Sequence, residues 1–232
     1  MSRRTVLISG ASRGIGRAIA ERLVADGHRI SLGLRNPTSL GGTSLATDQV
    51  FSHRYDAFEP DSATRWVDAT VARWGGFDTL IHCAGILRTT PLLFEDGEEK
   101  ELDDLWRVNV MGPWWLTRAA WTQLEISGNS RIQVLVSMSG KRVKGKMAGY
   151  PVSKFALMAL CQSMRNQGWN QGIRVTAICP SWVSTDMAAS TSTFDPDAMT
   201  HPRDLASLSS TLLQLPNQSV PFEISLNCSF EA

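Results

Sequence analysis

Short apolar runs alternate with amphipathic stretches along most of the chain. Residues 5–10 contain the apolar run Val6-Leu-Ile, and residues 173–178 are rich in apolar and β-branched residues, as is typical of buried strands. The stretch after the first run has helical spacing, with Ile15, Ile19 and Leu23 on one stripe. Because strand-like and helix-like segments follow each other in turn, the pattern favours a parallel sheet covered by helices on both faces.

The same reading extends to the whole chain and gives an explicit element list. The predicted strands span residues 5–10, 28–34, 50–55, 78–82, 132–136, 173–178 and 222–228. The predicted helices span residues 11–27, 61–74, 98–106, 108–126, 150–166 and 203–215, with a break between the third and the fourth. We therefore predict an α/β fold, a single-domain Rossmann-like doubly wound parallel sheet of about seven strands with helices on both faces and right-handed crossovers.

Composition narrows the class of protein. The chain has 232 residues, a formal net charge of +1 and a pI near 7.7, which argues against nucleic acid or an anionic membrane as the main partner. It contains no apolar run long enough for a transmembrane helix and no signal-peptide pattern at its start, so we expect a cytoplasmic protein. Four scattered cysteines and four histidines form no metal-binding motif, so we expect buried thiols and no metal.

Three glycines mark a candidate nucleotide site. Gly10, Gly14 and Gly16 follow the first predicted strand and open the first helix. Glycines at this turn let backbone N–H groups approach a pyrophosphate at the N-terminus of a helix. We therefore interpret residues 1–232 as one dinucleotide-binding catalytic domain.

Ser137, Tyr150 and Lys154 form a candidate acid–base group. Tyr150 and Lys154 lie four residues apart, on one face of a predicted helix, and Ser137 ends a predicted strand. A phenol titrates near pH 10, and a nearby ammonium favours the phenolate and lowers the pKa of the phenol. A Tyr–Lys pair at this spacing is common and often has no function, but the glycine motif upstream favours catalysis.

These motifs together resemble those of the short-chain dehydrogenase/reductase family, single-domain type, over essentially the whole chain. In chain order they are Ser9-Gly-Ala-Ser-Arg-Gly-Ile-Gly, Asn109 in Val-Asn-Val-Met-Gly, Ser137, Tyr150 with Lys154, and Pro180 before Val183 and Thr185.

The resemblance implies a role for each of four residues. Tyr150 is expected to be the catalytic acid/base, and Lys154 to lower its pKa and bind the nicotinamide ribose. Ser137 is expected to hold the substrate oxygen. Asn109 is expected to kink its helix and position a water for a proton relay, although an asparagine here also fits a simple capping role.

Two arginines bear on the choice of cofactor. The second strand ends in Arg35, with no acid to accept the ribose hydroxyls of NAD(H), and Arg13 lies in the glycine loop. Guanidinium groups suit a 2′-phosphate, so NADP(H) is favoured, with NAD(H) as the alternative. The expected cofactor-binding residues are Gly10, Ser12, Arg13, Gly14, Ile15, Gly16, Arg35, Asp56, Ala57, Ala84, Gly85, Tyr150, Lys154, Pro180, Val183 and Thr185.

The chain departs from the family pattern at several positions. His82-Cys83 replaces the family's Asn-Asn before Ala84-Gly85, so the side-chain bonds of those asparagines need substitutes. Pro151 follows Tyr150, which is compatible with the predicted geometry only if the helix begins at or just before Tyr150. Ser181 stands where the family has glycine, and the C-terminal tail lacks the usual glycine-containing finish.

The substrate pocket is expected to be mostly apolar. Its predicted residues are Leu87, Ser139, Gly140, Met147, Trp182 and Met187. The short segment 186–203 favours an open pocket and a compact ketone, aldehyde or secondary alcohol. Four cations, Lys141, Arg142, Lys144 and Lys146, are interpreted as a solvated loop and not as a handle for an anionic substrate.

Tryptophans cluster around the fourth predicted helix, which predicts either a packed core face or an interface. We favour a homodimer or homotetramer packed through the helices at 108–126 and 150–166. The resulting hypothesis is an NADP(H)-dependent oxidoreductase. The alternatives are an NAD-dependent alcohol dehydrogenase and a non-catalytic NADP(H)-binding sensor or regulator.

Overall fold

The fold is built on one sheet of seven parallel strands. The computed structural model describes residues 3–40 and 42–229, and within them the strands are arranged in the order β3-β2-β1-β4-β5-β6-β7. The order reverses between β1 and β4, so the carboxyl ends of these two strands border a crevice in which a doubly wound sheet can bind a ligand. The strands are β1 Thr5–Ser9, β2 Arg29–Leu34, β3 Val50–Arg54, β4 Thr79–His82, β5 Ser130–Leu135, β6 Ile173–Pro180 and β7 Glu223–Leu226.

Helices cover both faces of the sheet, as the sequence predicts. The layer on one face contains α1 and α7, and the other contains α2, α4 and α5. The helices are α1 Gly14–Ala25, α2 Pro60–Trp74, α3 Glu99–Trp106, α4 Gly112–Ser127, α5 Gly149–Gly168, α6 Asp186–Ala189 and α7 Pro202–Gln214.

The two layers explain why the middle of β1 is apolar on both faces. Val6 and Ile8 of β1 pack with α1 and α7, whereas Leu7 between them packs into the opposite layer. All three are fully buried, because a strand in the middle of a two-faced sheet has no solvent side. Gly33 of β2 makes room for Trp66 of α2, since a Cβ at residue 33 would lie 2.5 Å from the indole ring.

The predicted break between the third and fourth helices is wrong. Residues Arg107–Met111 form a π-helical turn that joins α3 to α4 without leaving helical backbone geometry. A π turn adds one residue to the helix and shifts the phase of the apolar pattern. In the sequence, that phase shift resembles the end of one helix and the start of another.

The sheet has two open edges, β3 and β7, and both are short. β3 has five residues and ends at the exposed Arg54. β7 has four residues, shorter than the predicted strand 222–228 by one residue at its start and two at its end, and it begins at the exposed Glu223. The last three residues of the atypical tail lie outside the described residues.

The tryptophan-rich helix has both a core face and a solvent face. Trp115 and Trp121 pack against the core, whereas Trp106 and Trp114 are about half exposed. The oligomer therefore stays a prediction, which light scattering in solution would test. No described helix has the length and hydropathy needed to cross a membrane.

Candidate active site

The glycine turn lies at the carboxyl end of β1, where the strand order reverses. Gly10 has a φ of +73°, and a Cβ there would lie 2.6 Å from the backbone nitrogen of Ala84. A Cβ at Gly16 would lie 2.6 Å from the carbonyl oxygen of Gly10. Among the described residues no side chain caps the N-terminus of α1. This open cradle of backbone N–H groups fits the pyrophosphate of a dinucleotide.

Ser9 links the glycine turn to the neighbouring strand. Its hydroxyl oxygen accepts hydrogen bonds from the backbone N–H groups of Cys83 and Ala84, both at 3.3 Å. The sequence analysis did not predict a role for Ser9, although its position at the end of β1, next to the glycine turn, indicates one. Ser9 thus bonds the backbone at the carboxyl end of β4, where His82 and Cys83 stand in place of the two asparagines of the family.

His82 makes the second substitute bond. Its Nε2 lies 3.0 Å from the Thr117 hydroxyl oxygen, which connects β4 to α4. The imidazole is buried, and burial lowers the pKa of His82 to about 3, so the ring is neutral across the physiological range.

The buried His82 predicts a loss of stability in acid. In the unfolded chain the imidazole binds a proton below pH ~6.5, whereas in the folded chain it stays neutral down to about pH 3. The contribution of His82 to the free energy of unfolding is therefore complete above pH ~6.5, and it falls by up to ~1.4 kcal/mol per pH unit as the pH drops toward 3. Urea unfolding from pH 7 to pH 4 should show a shallower pH dependence for His82→Asn than for the wild type.

His53, on the edge strand β3, provides the control for this measurement. Its imidazole lies beside the Phe51 ring and the Arg54 carbonyl oxygen, and His53→Asn should retain the steep wild-type pH dependence because His82 is still present. Parallel curves for the wild type and His82→Asn would contradict a buried neutral His82.

Tyr150, Lys154 and Ser137 come together at one wall of a cleft. Helix α5 begins at Gly149, so Pro151 lies in its first turn and Tyr150 and Lys154 share a face one turn apart. The Tyr150 phenol hydrogen-bonds the Ser137 hydroxyl. The Lys154 Nζ lies 5.6 Å from the centre of the Tyr150 ring and donates to the Leu135 carbonyl oxygen at 3.1 Å.

Ser137 has an unusual backbone conformation. Its φ is +149°, and it is the single non-glycine residue with positive φ in the described part of the chain. This region is populated almost only by glycine, and occupying it costs roughly 1–3 kcal/mol. The Ser137 hydroxyl oxygen also accepts the Ser139 N–H at 3.0 Å, which fixes the hydroxyl at the start of a short 3₁₀ turn, Met138–Gly140.

The pKa of Tyr150 moves in the direction opposite to the expected one. Burial raises it to about 12, and the interaction with the Ser137 hydroxyl offsets only part of that effect. The ammonium of Lys154 is itself buried, and burial lowers its pKa to about 8. The phenol is therefore protonated at neutral pH, which is the form that donates a proton.

Asn109 lies in the π-helical turn and is fully buried. Its Oδ1 accepts the Ile86 N–H at 2.9 Å, and its Nδ2 donates to the Ile86 carbonyl oxygen at 3.0 Å and to the Ser153 hydroxyl at 3.1 Å. Ser153 in turn donates to the Tyr150 carbonyl oxygen at 2.7 Å. Asn109 thereby connects the segment after β4 to the first turn of α5. Sequence analysis missed Ser153, one turn after Tyr150.

A cleft with a volume of about 260 Å³ opens beside this group. Of the predicted pocket residues, Gly140 alone is absent from its walls: it is buried, and a Cβ there would lie 2.8 Å from the Lys154 carbonyl oxygen. The predicted residues that do line the cleft are Ile15, Gly85, Leu87, Ser137, Ser139, Met147, Tyr150, Lys154, Pro180, Trp182, Val183, Thr185 and Met187.

The remaining cofactor candidates surround the glycine turn and the ends of β2 and β3. Ser12 and Arg35 are exposed, whereas Ala57 is buried against Gly112 at the start of α4. Asp56 Oδ1 accepts the Phe58 N–H at 3.0 Å. Arg13 lies in the same turn as Ser12, and Gly14 begins α1 with a φ of +58°.

The thiols give the site no further chemistry. Cys161, Cys179 and Cys228 are buried and Cys83 is partly buried, and all four are free. Burial raises the pKa of Cys83 to about 12, so this thiol beside the cleft stays protonated. No group of three metal-binding side chains occurs within residues 3–40 and 42–229.

Comparison with known proteins gives a dehydrogenase family profile and several reductases as relatives. The family profile described as short chain dehydrogenase matches residues 4–195. An agropine synthesis reductase of Rhizobium rhizogenes is 36% identical over 216 residues, 92% of this chain and 50% of the relative. The 3-oxoacyl-[acyl-carrier-protein] reductase FabG of Escherichia coli K12 is 29% identical over 185 residues, 78% of this chain and 74% of that protein.

A solved structure agrees with these relatives. The alcohol dehydrogenase from the archaeon Thermococcus sibiricus, complexed with 5-hydroxy-NADP, is 26% identical and superposes with a TM-score of 0.89, covering 100% of this chain and 99% of its own. The chain spans about half the length of the agropine synthesis reductases that it matches. Since the family profile covers most of the chain, the protein belongs to the short-chain dehydrogenase family, oxidoreductases that interconvert alcohols and carbonyls with a nicotinamide cofactor.

Proposed function

We propose that the protein is an NADP(H)-dependent oxidoreductase that interconverts a small ketone or aldehyde and the corresponding alcohol, with Tyr150 as general acid/base. The observation that carries the proposal is the convergence of Ser137, Tyr150 and Lys154 at the wall of a mostly apolar cleft. A cleft of about 260 Å³ suits a compact substrate. The roles given below to single residues are part of the same proposal.

Two hydroxyl groups act on the substrate oxygen. When bound, the nicotinamide supplies or accepts the hydride. Ser137 and Tyr150 donate hydrogen bonds to the carbonyl oxygen, and Tyr150 gives up its proton as negative charge develops there. Fixed donors of this kind stabilise a developing oxyanion by roughly 3 kcal/mol each.

Lys154 and Asn109 support the proton transfer. The Lys154 ammonium is buried 5.6 Å from the Tyr150 ring centre, where it favours the phenolate left after proton donation. In a low-dielectric site this attraction is stronger than at the surface. Asn109 acts as a positioning residue, because its bonds to Ile86 and Ser153 hold the two segments that border the cleft.

The preference for NADP(H) rests on two arginines. Arg35 is exposed and follows β2 directly, at the carboxyl edge of the sheet where the glycine turn also lies, and its guanidinium group suits a phosphate. Arg13 forms an ion pair with Asp186 at 3.2 Å, but both side chains are largely exposed, and surface pairs of this kind contribute little free energy. A 2′-phosphate can therefore recruit Arg13 at low cost.

The test follows NADPH and NADH oxidation with a panel of ketones and aldehydes. We expect kcat/KM for NADPH to exceed that for NADH at least tenfold. Arg35→Leu should lower kcat/KM for NADPH roughly tenfold, because one charge-assisted hydrogen bond to the 2′-phosphate is lost. It should affect kcat/KM for NADH much less.

Arg29→Leu is the matched control, because Arg29 begins the same strand that Arg35 follows and is remote from the glycine turn. It should retain the wild-type preference. A preference for NADH would identify an NAD-dependent alcohol dehydrogenase. Tight NADPH binding without turnover of any carbonyl or alcohol would favour a sensor and contradict the enzyme assignment.

A further inference from the structure

A second cavity lies at the edge of the sheet opposite the glycine turn. It has a volume of about 460 Å³, and its walls are formed by residues that precede β1, β2 and β5 and by the segment at the end of α7. Because the strands are parallel, they begin at this edge and run toward the candidate active site at the other. None of the predicted catalytic, cofactor-binding or substrate residues lines this cavity.

Arg131 of β5 brings a buried positive charge to the wall of this cavity. Only 2% of Arg131 is exposed, and its Nε is buried without a hydrogen-bond partner in the described part of the chain. The groups that do accept from its guanidinium are all neutral: the side-chain oxygens of Asn129 and Asn217 and the carbonyl oxygens of Ser130 and Leu215. Since buried charges in proteins are normally paired with an opposite charge, an anion in the cavity would be stabilised beside Arg131.

Arg4 and His28 add hydrogen-bond donors to the same cavity. Arg4 forms an ion pair with Asp78 through Nη1 at 3.0 Å, while its Nη2 has no partner within residues 3–40 and 42–229. The buried His28 accepts the Arg4 backbone N–H at Nδ1, at 3.1 Å. Burial lowers the pKa of His28, so the ring is neutral and its one proton lies on Nε2. That N–H likewise has no partner among the described residues, and neither nitrogen is fully shielded from solvent.

The lining of the cavity carries positive charge. Arg4 and Arg131 both line it, and within the described ranges no aspartate or glutamate does. Asp78 lies outside the lining and is paired with Arg4. Burial, together with the neighbouring guanidinium groups of Arg4 and Arg174, lowers the pKa of Arg131 to about 10. Three cations therefore lie close together, and a cavity lined by one sign of charge favours a ligand of the opposite sign.

We infer that the cavity at the amino edge of the sheet binds a phosphate group, which accepts hydrogen bonds from Arg4 Nη2 and His28 Nε2 and compensates the buried charge of Arg131. A phosphate carries up to two negative charges at neutral pH and has oxygen atoms on several sides, so it can accept from donors on different strands. A carboxylate has one charge and two oxygens in one plane, and it satisfies fewer of these donors. The site is independent of the proposed function, because no residue lines both the cleft and this cavity.

Calorimetric titration of inorganic phosphate onto the NADP⁺-saturated protein, in a chloride buffer of constant ionic strength, tests the inference. We expect one site per chain with a Kd of about 1 mM or lower. His28→Asn removes the Nε2 donor but keeps an acceptor for the Arg4 N–H, and it should weaken phosphate binding about tenfold. His28→Gln, whose amide nitrogen can take the place of Nε2, should restore the affinity to within about threefold of the wild type. His53→Asn makes the same change outside the cavity and should retain the wild-type affinity.

Arg131→Met removes the buried charge and should abolish phosphate binding. This variant also loses the hydrogen bonds of the guanidinium, so its fold is checked by circular dichroism. The two His28 variants leave those bonds in place and test the site even if Arg131→Met does not fold. Phosphate binding that persists unchanged in His28→Asn lies elsewhere on the protein and would overturn the inference.

A measurement on the wild-type protein needs no variant with altered binding. The ring nitrogen signals of the four histidines are followed by NMR during the phosphate titration at constant pH. The Nε2 signal of His28 should shift with the Kd found by calorimetry, while that of His53 should not move. Absence of binding up to about 20 mM phosphate, or saturable binding without a shift of the His28 signal, would contradict the site.

Two further ligands identify the source of the phosphate group. Tighter binding of glycerol 3-phosphate than of inorganic phosphate supports a phosphorylated small molecule as the natural ligand, and equal or weaker binding supports free phosphate. Acetate that binds as tightly as phosphate would overturn the assignment of a phosphate site.

Discussion

Tyr150→Phe should lower kcat/KM for carbonyl reduction by about 10³-fold while NADPH affinity stays within about twofold. The substitution removes one oxygen atom, the proposed proton donor, and general acid catalysis typically contributes 10²–10⁴-fold. The proton transfer is lost together with the hydrogen bonds of the phenol to the substrate oxygen and to Ser137, whereas the ring still fills the same wall of the cleft. Steady-state kinetics and fluorescence titration of NADPH measure the two quantities separately.

The chain contains its own matched control for this prediction. Tyr55 is the other tyrosine of the chain. Its buried phenol donates to the Gly112 carbonyl oxygen at 3.3 Å, and Tyr55 is not among the residues that line the cleft. Tyr55→Phe deletes the same atom and should retain turnover near the wild-type value. Substantial activity in Tyr150→Phe would exclude Tyr150 as the acid.

Asn109→Ala should lower the free energy of unfolding by about 4 kcal/mol. The substitution leaves the Ile86 N–H and carbonyl groups without their present partners, and each such unsatisfied group costs roughly 1–3 kcal/mol. The Ser153 hydroxyl loses the bond from Asn109 but keeps its bond to the Tyr150 carbonyl oxygen. For a domain of this size the loss corresponds to a fall in Tm of about 10 °C. Urea denaturation and a thermal melt followed by circular dichroism measure it.

Asn166→Ala tests whether the cost is specific to the buried site. Asn166 is exposed on α5, so its removal should change the free energy of unfolding by no more than about 0.5 kcal/mol. If Asn109→Ala is equally mild, the bonds around the π-helical turn do not contribute as described. Reduced turnover in a folded Asn109→Ala protein would reflect displaced cleft borders and not a lost reacting group.

The sheet was predictable because its strands carry a local signal. The five inner strands are largely buried, the two edge strands are shorter and partly exposed, and the number of strands follows from the sequence. The predicted break near residue 107 failed for a physical reason. Spacing arguments assume a constant 3.6 residues per turn, and the π-helical turn at Asn109 violates that assumption locally.

The sequence predicts which residues form the candidate site, because their type and spacing indicate the chemistry. It does not predict properties that depend on the surrounding residues in the folded chain. The glycine turn and the group formed by Ser137, Tyr150 and Lys154 follow from spacing and resemblance. The raised pKa of Tyr150 does not, because it reflects burial that only the folded chain produces. The sequence likewise does not show which cations of the 141–146 loop border the cleft: Arg142 lines it, whereas Lys146 does not.

The two open edges of the sheet also bear on how the protein behaves at high concentration. An exposed edge strand can pair with the edge of a second molecule and start aggregation, most readily when it is long, flat and apolar. β3 and β7 are only five and four residues long, and the charged groups of Arg54 and Glu223 stand at their ends. Because neither edge is a good template for intermolecular strand pairing, the seven-stranded sheet is protected against growing from one molecule to the next.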